Sequence, residues 1–163
     1  MLDKVEDCIQ NGGVAIVGLH SPNYSSDMEN FFLVFDLPWS DGEYCRWDFQ
    51  LNPSADLLEG TAMSSIPVAY SMKAKHVRYA GARQRVYVCM EDTRPAILGF
   101  SPEEVDMEQT AVAAARVGRG DLIYCGDMNP EAGSTCLILA LCGFQAGIET
   151  DPVEAEAVTL VIA

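Results

Sequence analysis

The chain has 163 residues, 49% of them apolar, and it carries 24 acidic residues against 10 Lys and Arg residues, for a formal charge of -14. This length and apolar fraction are typical of a compact domain and exclude a chain too polar to fold. The acidity excludes duplex nucleic acid as a ligand over most of the surface, because phosphate contacts require Lys and Arg. We therefore expect a single globular domain over residues 1–163.

The first elements are predicted from spacing and from glycines. Leu2, Val5 and Ile9 recur at near-helical spacing before Asn11-Gly12-Gly13, which predicts a short N-terminal helix that ends at the glycines. The run from Val14 to Leu19 is apolar and rich in β-branched residues, so it predicts a buried strand.

A first β-hairpin is predicted over residues 31–51. Its strands are 31–37 and 44–51, and Asp41-Gly42 supplies the turn between them. Apolar and polar residues alternate along the second strand, which gives that strand one buried face and assigns Trp47 to the core.

Residues 60–90 form what we call the basic segment, because they contain no Asp or Glu but half of all the Lys and Arg residues. These cations are Lys73, Lys75, Arg78, Arg83 and Arg85. We predict a second hairpin here, with strands at 67–79 and 83–90. Alternation places Lys73, Lys75, Arg83 and Arg85 on one exposed face, together with tyrosines such as Tyr87.

Caps and apolar runs predict the remaining elements. Ser101-Pro102-Glu103-Glu104 combines an N-cap, a proline at the first helical position and acids beside the positive end of the helix dipole. It predicts the principal helix, and three apolar runs at 122–125, 136–142 and 158–162 predict further strands. The predicted fold class is therefore α+β, a mainly antiparallel sheet of hairpins packed by one principal helix (about 101–117) and a short N-terminal helix.

Cysteine and histidine residues offer one enzymatic alternative. Cys136 follows Gly133-Ser134-Thr135, and a thiol near a helix start, with His20 or His76 as its base, would give a cysteine-dependent hydrolase. The more ordinary interpretation is a core thiol in a strand. Nothing in the sequence indicates export, so we predict reduced cysteines. No CxxC pair occurs and the two histidines lie far apart, so we predict no metal site, and we predict no cofactor.

The segregated charge favours a function in macromolecular association. We predict a non-enzymatic acidic interaction protein that docks electrostatically on a partner, as inhibitors, immunity proteins and phage anti-defence proteins do, or that self-assembles; a structural assembly or decoration protein is an alternative. A protein partner with a basic, nucleic-acid-binding groove would suit the acidic surface. Direct nucleic-acid binding is expected only through residues 73–87.

The predicted partner-binding residues come from the first hairpin and from the basic segment. They are Trp39, Asp41, Glu43, Tyr44, Lys73, Lys75, Arg83, Arg85 and Tyr87. The alternative is that the cations are ordinary exposed charges balanced by the chain's own carboxylates. No secretory pattern opens the chain, and its longest apolar run is much shorter than a bilayer span, so we expect a cytoplasmic protein without a membrane partner.

Overall fold

The computed structural model describes residues 2–18, 28–56, 61, 63–90, 106–129, 131–143 and 159–162. In this part of the chain the helices are α1 (Leu2–Gln10), α2 (Met28–Leu33) and α3 (Ala132–Leu141), with a short 3-10 helix at Met63–Ser65. The strands are β1 (Val14–Gly18), β2 (Ser40–Leu51), β3 (Ala69–Arg78), β4 (Tyr87–Cys89), β5 (Val112–Val117), β6 (Gly120–Cys125) and β7 (Thr159–Ile162). No helix among these residues is long and apolar enough to cross a membrane.

Four strands form a mixed sheet in the order β5-β6-β1-β7. The central strand β1 runs parallel to β6 and to β7, whereas β5 and β6 form an antiparallel hairpin. The turn of this hairpin contains Gly118 at a φ of 58°, a conformation that costs glycine little. The buried strand and the N-terminal helix predicted from the sequence are confirmed as β1 and α1.

The other three strands form an antiparallel sheet in the order β3-β2-β4. Residues alternate along β2 as predicted, because Trp47 and Phe49 are fully buried whereas Tyr44 and Asp48 are exposed. One side of this sheet therefore faces the core and the other faces solvent. The α+β class is confirmed.

Strand β3 joins the two sheets. Its Lys75 N–H donates to the carbonyl of Gly126, directly after β6, and its Val77 exchanges two backbone hydrogen bonds with Thr110, just before β5. On the other side β3 pairs with β2 along nearly its whole length. The close approach at Gly126 requires glycine, since a Cβ there would lie 1.9 Å from the Lys75 carbonyl oxygen.

The core has two parts, one on each face of the mixed sheet. Alternate residues of β6 point to opposite sides, so that Ile123 packs with Trp47 and Leu137 whereas Leu122 packs with Phe32 and the helix α1. A sheet covered on both faces has few polar side chains, which explains the nearly continuous burial of β1, β5 and β6.

The first predicted hairpin is wrong in its pairing. Residues 28–33 form α2, and β2 pairs with β3 and β4 instead of with 31–37. Phe32 and Phe35 are both buried, as their spacing of three residues allows at a helix and its C-terminal turn. The predicted turn at Asp41-Gly42 lies inside β2, where the register with β3 shifts between Asp41 and Tyr44.

The second predicted hairpin is also wrong in its pairing, because β2 separates β3 from β4. Residues 84–86 instead lie beside β5, with hydrogen bonds between Val86 and Val112 and between Ala114 and Gln84. Tyr87 is consequently buried and not on the exposed face that alternation predicted.

In the C-terminal half, a predicted helix is in part a strand, and a predicted strand is a helix. The helix expected over about 101–117 is not found where the structure describes that range, since residues 112–117 form β5; residues 101–105 lie outside the described part of the chain. The strand expected at 136–142 belongs to α3, which is the principal described helix. The strands expected at 122–125 and 158–162 are confirmed as β6 and β7.

We expect Gly126→Ala to destabilise the protein by about 2–4 kcal/mol, because the added methyl group would collide with the β3 backbone at the junction of the sheets. Gly81→Ala is the matched control. A Cβ at Gly81 would meet its nearest neighbour, Gln84 Oε1, at 3.4 Å, so its effect should stay within about 0.5 kcal/mol. Urea unfolding of the two variants measures the difference, and equal stabilities would contradict the role of Gly126.

Candidate functional site

The exposed side of the β2–β3 pair brings together residues that are distant in sequence. Tyr44 lies opposite Lys75, and Arg46 lies opposite Lys73, so the four side chains share one surface, which we call the β2–β3 face. Tyr44 is 54% exposed, and Lys73 Nζ lies 5.4 Å from the centroid of its ring. This cation–π contact favours one ring orientation and contributes about 0.5–1 kcal/mol at an exposed site.

A β-bulge borders this face. Two residues of β2, Gly42 and Glu43, lie in the register shift, and Lys75 Nζ donates to the Gly42 carbonyl at 2.9 Å and lies 3.7 Å from Asp41 Oδ1. Glycine is required here, since a Cβ would lie 2.5 Å from Gln109 Oε1. Bulges of this kind are common beside functional sites because they redirect side chains at the edge of a paired region.

Gln109, which is fully buried, holds the bulge in place. Its Oε1 accepts the Glu43 N–H at 2.7 Å, and its Nε2 donates to Asp106 Oδ2 at 3.1 Å and to Glu43 Oε1 at 3.3 Å. Arg78 lies between the two carboxylates, 3.9 Å from Glu43 and 3.8 Å from Asp106. The acids at this border are thus held by an amide and a guanidinium of the same chain.

Beneath the bulge, the Cys45 thiol lies beside the His76 imidazole. The distance from Cys45 Sγ to His76 Nδ1 is 4.0 Å. Burial, and secondarily Lys75, lowers the pKa of His76 to about 4. Burial, followed by the Glu43 carboxylate, raises the pKa of Cys45 to about 12. Both groups are therefore neutral near pH 7, which is the opposite of the thiolate–imidazolium pair of a cysteine hydrolase.

His76 is fully buried against aromatic rings. Its ring centroid lies 4.3 Å from that of Trp47 and 5.4 Å from that of Phe49. Its Nε2 has no hydrogen-bond partner among the described residues. Trp47 itself is buried, as the sequence predicted.

Arg46 on the face and Arg83 away from it also contact carboxylates of the same chain. Arg46 Nη2 lies 2.6 Å from Glu131 Oε1, next to the start of α3. Arg83 binds the Asp56 carboxylate through Nε and Nη2, and Asp56 raises the pKa of Arg83. Much of the basic segment is thus balanced by the protein's own acids.

The structure divides the predicted partner-binding residues into three groups. Those on or bordering the β2–β3 face are Asp41, Glu43, Tyr44, Lys73 and Lys75. Away from it are Arg83, which pairs with Asp56, and Arg85, whose Nη1 donates to the Met107 carbonyl at 3.3 Å.

Trp39 and Tyr87 are fully buried, which corrects their predicted place on a binding surface. Trp39 Nε1 donates to Gln84 Oε1 at 3.0 Å, and the Tyr87 hydroxyl donates to the Pro67 carbonyl at 2.6 Å. Both aromatic residues therefore have their polar atoms bonded inside the protein.

The structure does not assemble the Cys136–His76 version of the predicted hydrolase. Cys136 is exposed on α3, whereas the thiol beside His76 is that of Cys45. His20 lies outside the described residues.

Sequence reasoning missed a buried polar network at the start of α3. The Ser134 hydroxyl donates to Asp127 Oδ2 at 2.5 Å and lies 3.0 Å from the Tyr70 hydroxyl. Burial raises the pKa of Asp127, while the hydrogen bond from Ser134 opposes that rise. Gly133 lets the helix approach Tyr70, because a Cβ there would lie 2.5 Å from the ring. The network positions α3 against β3. In the sequence it is marked by Asp127 and by the Gly133-Ser134 pair that follows it.

We expect His76 to make stability depend on pH. The unfolded state binds a proton near pH 6.5 and the folded state only near pH 4, so stability falls as the pH drops through this window. Between about pH 7 and pH 5 the loss from His76 should be about 2 kcal/mol.

Urea unfolding at the two pH values measures this loss, and His76→Phe should reduce it. His76→Gln serves as a second variant that cannot titrate if the phenylalanine does not fit. An unchanged pH dependence in both variants would show that His76 is not responsible.

No family model, curated protein or solved structure matches the chain. Function must therefore be inferred from the chemistry and geometry of the surface.

Proposed function

We propose that this chain is a non-enzymatic protein-binding domain whose contact surface is the β2–β3 face, with Tyr44 as its anchor. The observation that carries the proposal is the exposure of the Tyr44 ring on the central strand of a sheet, with Lys73 over the ring. Tyrosine is favoured at interface hot spots because it offers a large contact area with few rotatable bonds. A ring held on a paired strand loses little further freedom on binding.

The surroundings of Tyr44 support a protein partner over a nucleic acid. Arg46 and Lys75 lie beside the ring, but each also contacts a carboxylate of this chain. Phosphate binding would have to compete with Glu131 and Asp41 for these cations. An aromatic centre within a border of both charge signs is instead typical of protein interfaces.

The net charge supports a partner that is basic overall. With 24 acids against 10 Lys and Arg residues, the field around the molecule attracts positively charged proteins and raises their association rate. An inhibitor or immunity-type protein that covers the basic groove of a nucleic-acid-binding protein fits this net charge, and the carboxylates of Asp41 and Glu43 that border the β2–β3 face would meet the cations of that groove. Self-assembly by docking the basic segment on the acidic surface is less favoured, because Lys75, Arg78 and Arg83 already contact carboxylates.

We expect Tyr44→Ala to reduce capture of the partner at least about tenfold, which is the usual effect of removing an interface hot spot. Tyr79, which is 69% exposed just beyond β3, provides the matched control, and Tyr79→Ala should leave capture unchanged. Immobilised wild type and both variants are incubated with extract of the native host, and captured proteins are quantified by mass spectrometry. Equal loss with both variants, or no loss with Tyr44→Ala, would contradict the proposal.

Light scattering separates the self-assembly alternative. We expect a monomer at low and at high salt, because the basic segment is largely engaged within the chain. A salt-sensitive oligomer would favour an assembly or decoration protein, since screening weakens surface charge contacts.

Alkylation tests the hydrolase alternative. We expect Cys136 to react with iodoacetamide faster than the buried cysteines, because it is exposed, but no faster than a small free thiol. Mass spectrometry of the native protein over time measures the rate at each cysteine. Much faster labelling of Cys136 than of glutathione would favour an activated nucleophile and count against the binding proposal.

A further inference from the structure

A second surface feature lies away from the β2–β3 face. It is a groove of about 330 Å³ between α1, the segment after α2 and the β5–β6 turn. Ile9 and Phe35 are buried in the second core and line its floor together with Val117. This volume is at the lower end of the range of ~300–1,000 Å³ that is typical of ligand sites.

The rim of the groove is mainly acidic. Glu6 and Asp36 line it, with Arg119 as the cation among its lining residues. Asp3 lies one turn before Glu6 on α1 and extends the negative charge along the helix. Among the described residues, no ion pair within 4.0 Å engages Asp3, Glu6 or Asp36, in contrast to the acids around Tyr44.

Asp36 occupies a backbone position that normally belongs to glycine. It ends α2 in a Schellman motif, in which the Leu37 N–H donates to the Phe32 carbonyl and the Asp36 N–H donates to the Leu33 carbonyl, both at 3.1 Å. Its φ is 56°, where glycine or asparagine is the usual residue. The motif fixes the backbone that carries this carboxylate at the edge of the groove.

Apolar surface continues from the floor onto the rim. Leu33 is 53% exposed and Val34 is 47% exposed, and Val34 lines the groove. Water contact with these side chains is unfavourable, so an apolar group placed between them and the floor would be stabilised. Combined with unpaired acids, this surface suits a ligand that is both apolar and positively charged.

We propose that this groove binds a partner segment in which an apolar side chain is flanked by Lys or Arg residues. The apolar side chain would enter the groove, and the flanking cations would pair with Glu6 and Asp36. An acidic segment would be repelled by both carboxylates and could form an ion pair only with Arg119 among the lining residues. The groove shares no residue with the β2–β3 face, so this inference does not rest on the function proposed for that face.

Fluorescence anisotropy with synthetic peptides tests the proposal. The probes are labelled peptides of alternating Lys and Leu, of alternating Lys and Ser, and of alternating Glu and Leu. We expect the Lys-Leu peptide to bind best, because only it offers both the charge and the apolar side chain. Equal binding of the Lys-Ser peptide, preferential binding of the Glu-Leu peptide, or no binding of the Lys-Leu peptide would overturn the proposal.

Charge variants locate the binding. Glu6→Gln combined with Asp36→Asn preserves side-chain size, and asparagine tolerates the positive φ, so the fold should be retained. Loss of two charge contacts at the surface should weaken binding of the Lys-Leu peptide about two- to tenfold.

The control combines Asp48→Asn with Glu108→Gln, which removes the same charge from exposed positions outside the groove. Equal weakening by the control would show that only net charge matters and would overturn the proposal. Val34→Ser should weaken binding of the Lys-Leu peptide without changing the charge of the groove. An unchanged affinity of this variant would also overturn the proposal. A dimer seen by light scattering that the groove variants dissociate would identify a second copy as the occupant and would also overturn it.

Discussion

The backbone pairing of β3 on both of its edges is the constraint on which the rest of the structure depends. One edge pairs with β2, and the other is bonded to Thr110 and Gly126, which lie next to β5 and β6 of the mixed sheet. Unpaired backbone groups are costly when buried, so β3 can occupy only the register that satisfies both neighbours. That register places Lys73 and Lys75 beside β2, directs His76 into the core and brings Gln109 to the bulge.

The pairing of β3 also places cations of the basic segment next to acids from other parts of the chain. The basic segment lies between acidic stretches in sequence, and the fold places Lys75, Arg78 and Arg83 against carboxylates from other elements. Exposed pairs of this type stabilise a protein little, but they reduce the local positive field. Three described acids without an ion pair, Asp3 and Glu6 on α1 and Asp36 after α2, lie in or beside the groove instead.

The sequence predicted the class, the buried strands and the exposed row on β2 because alternation and apolar runs are local signals. Strand pairing could not be predicted, since it depends on long-range contacts. Asp41-Gly42 has the composition of a turn, but the same backbone freedom serves a bulge. The run at 111–115 favours a helix by propensity, yet complete burial between strands overrides that preference. The site was therefore predicted in part. Tyr44 is exposed as alternation predicted, whereas the burial of Trp39 and Tyr87 depends on how the strands pair, which the sequence does not show.

The neutral thiol beneath the bulge also bears on the redox chemistry of this surface. Oxidation to a sulfenic acid begins from the thiolate, and a pKa of about 12 keeps Cys45 protonated in neutral solution. Peroxide and disulfides should therefore modify Cys45 slowly even though it lies near the surface. The thiol beneath the β2–β3 face would therefore stay reduced under oxidative conditions that modify more reactive thiols.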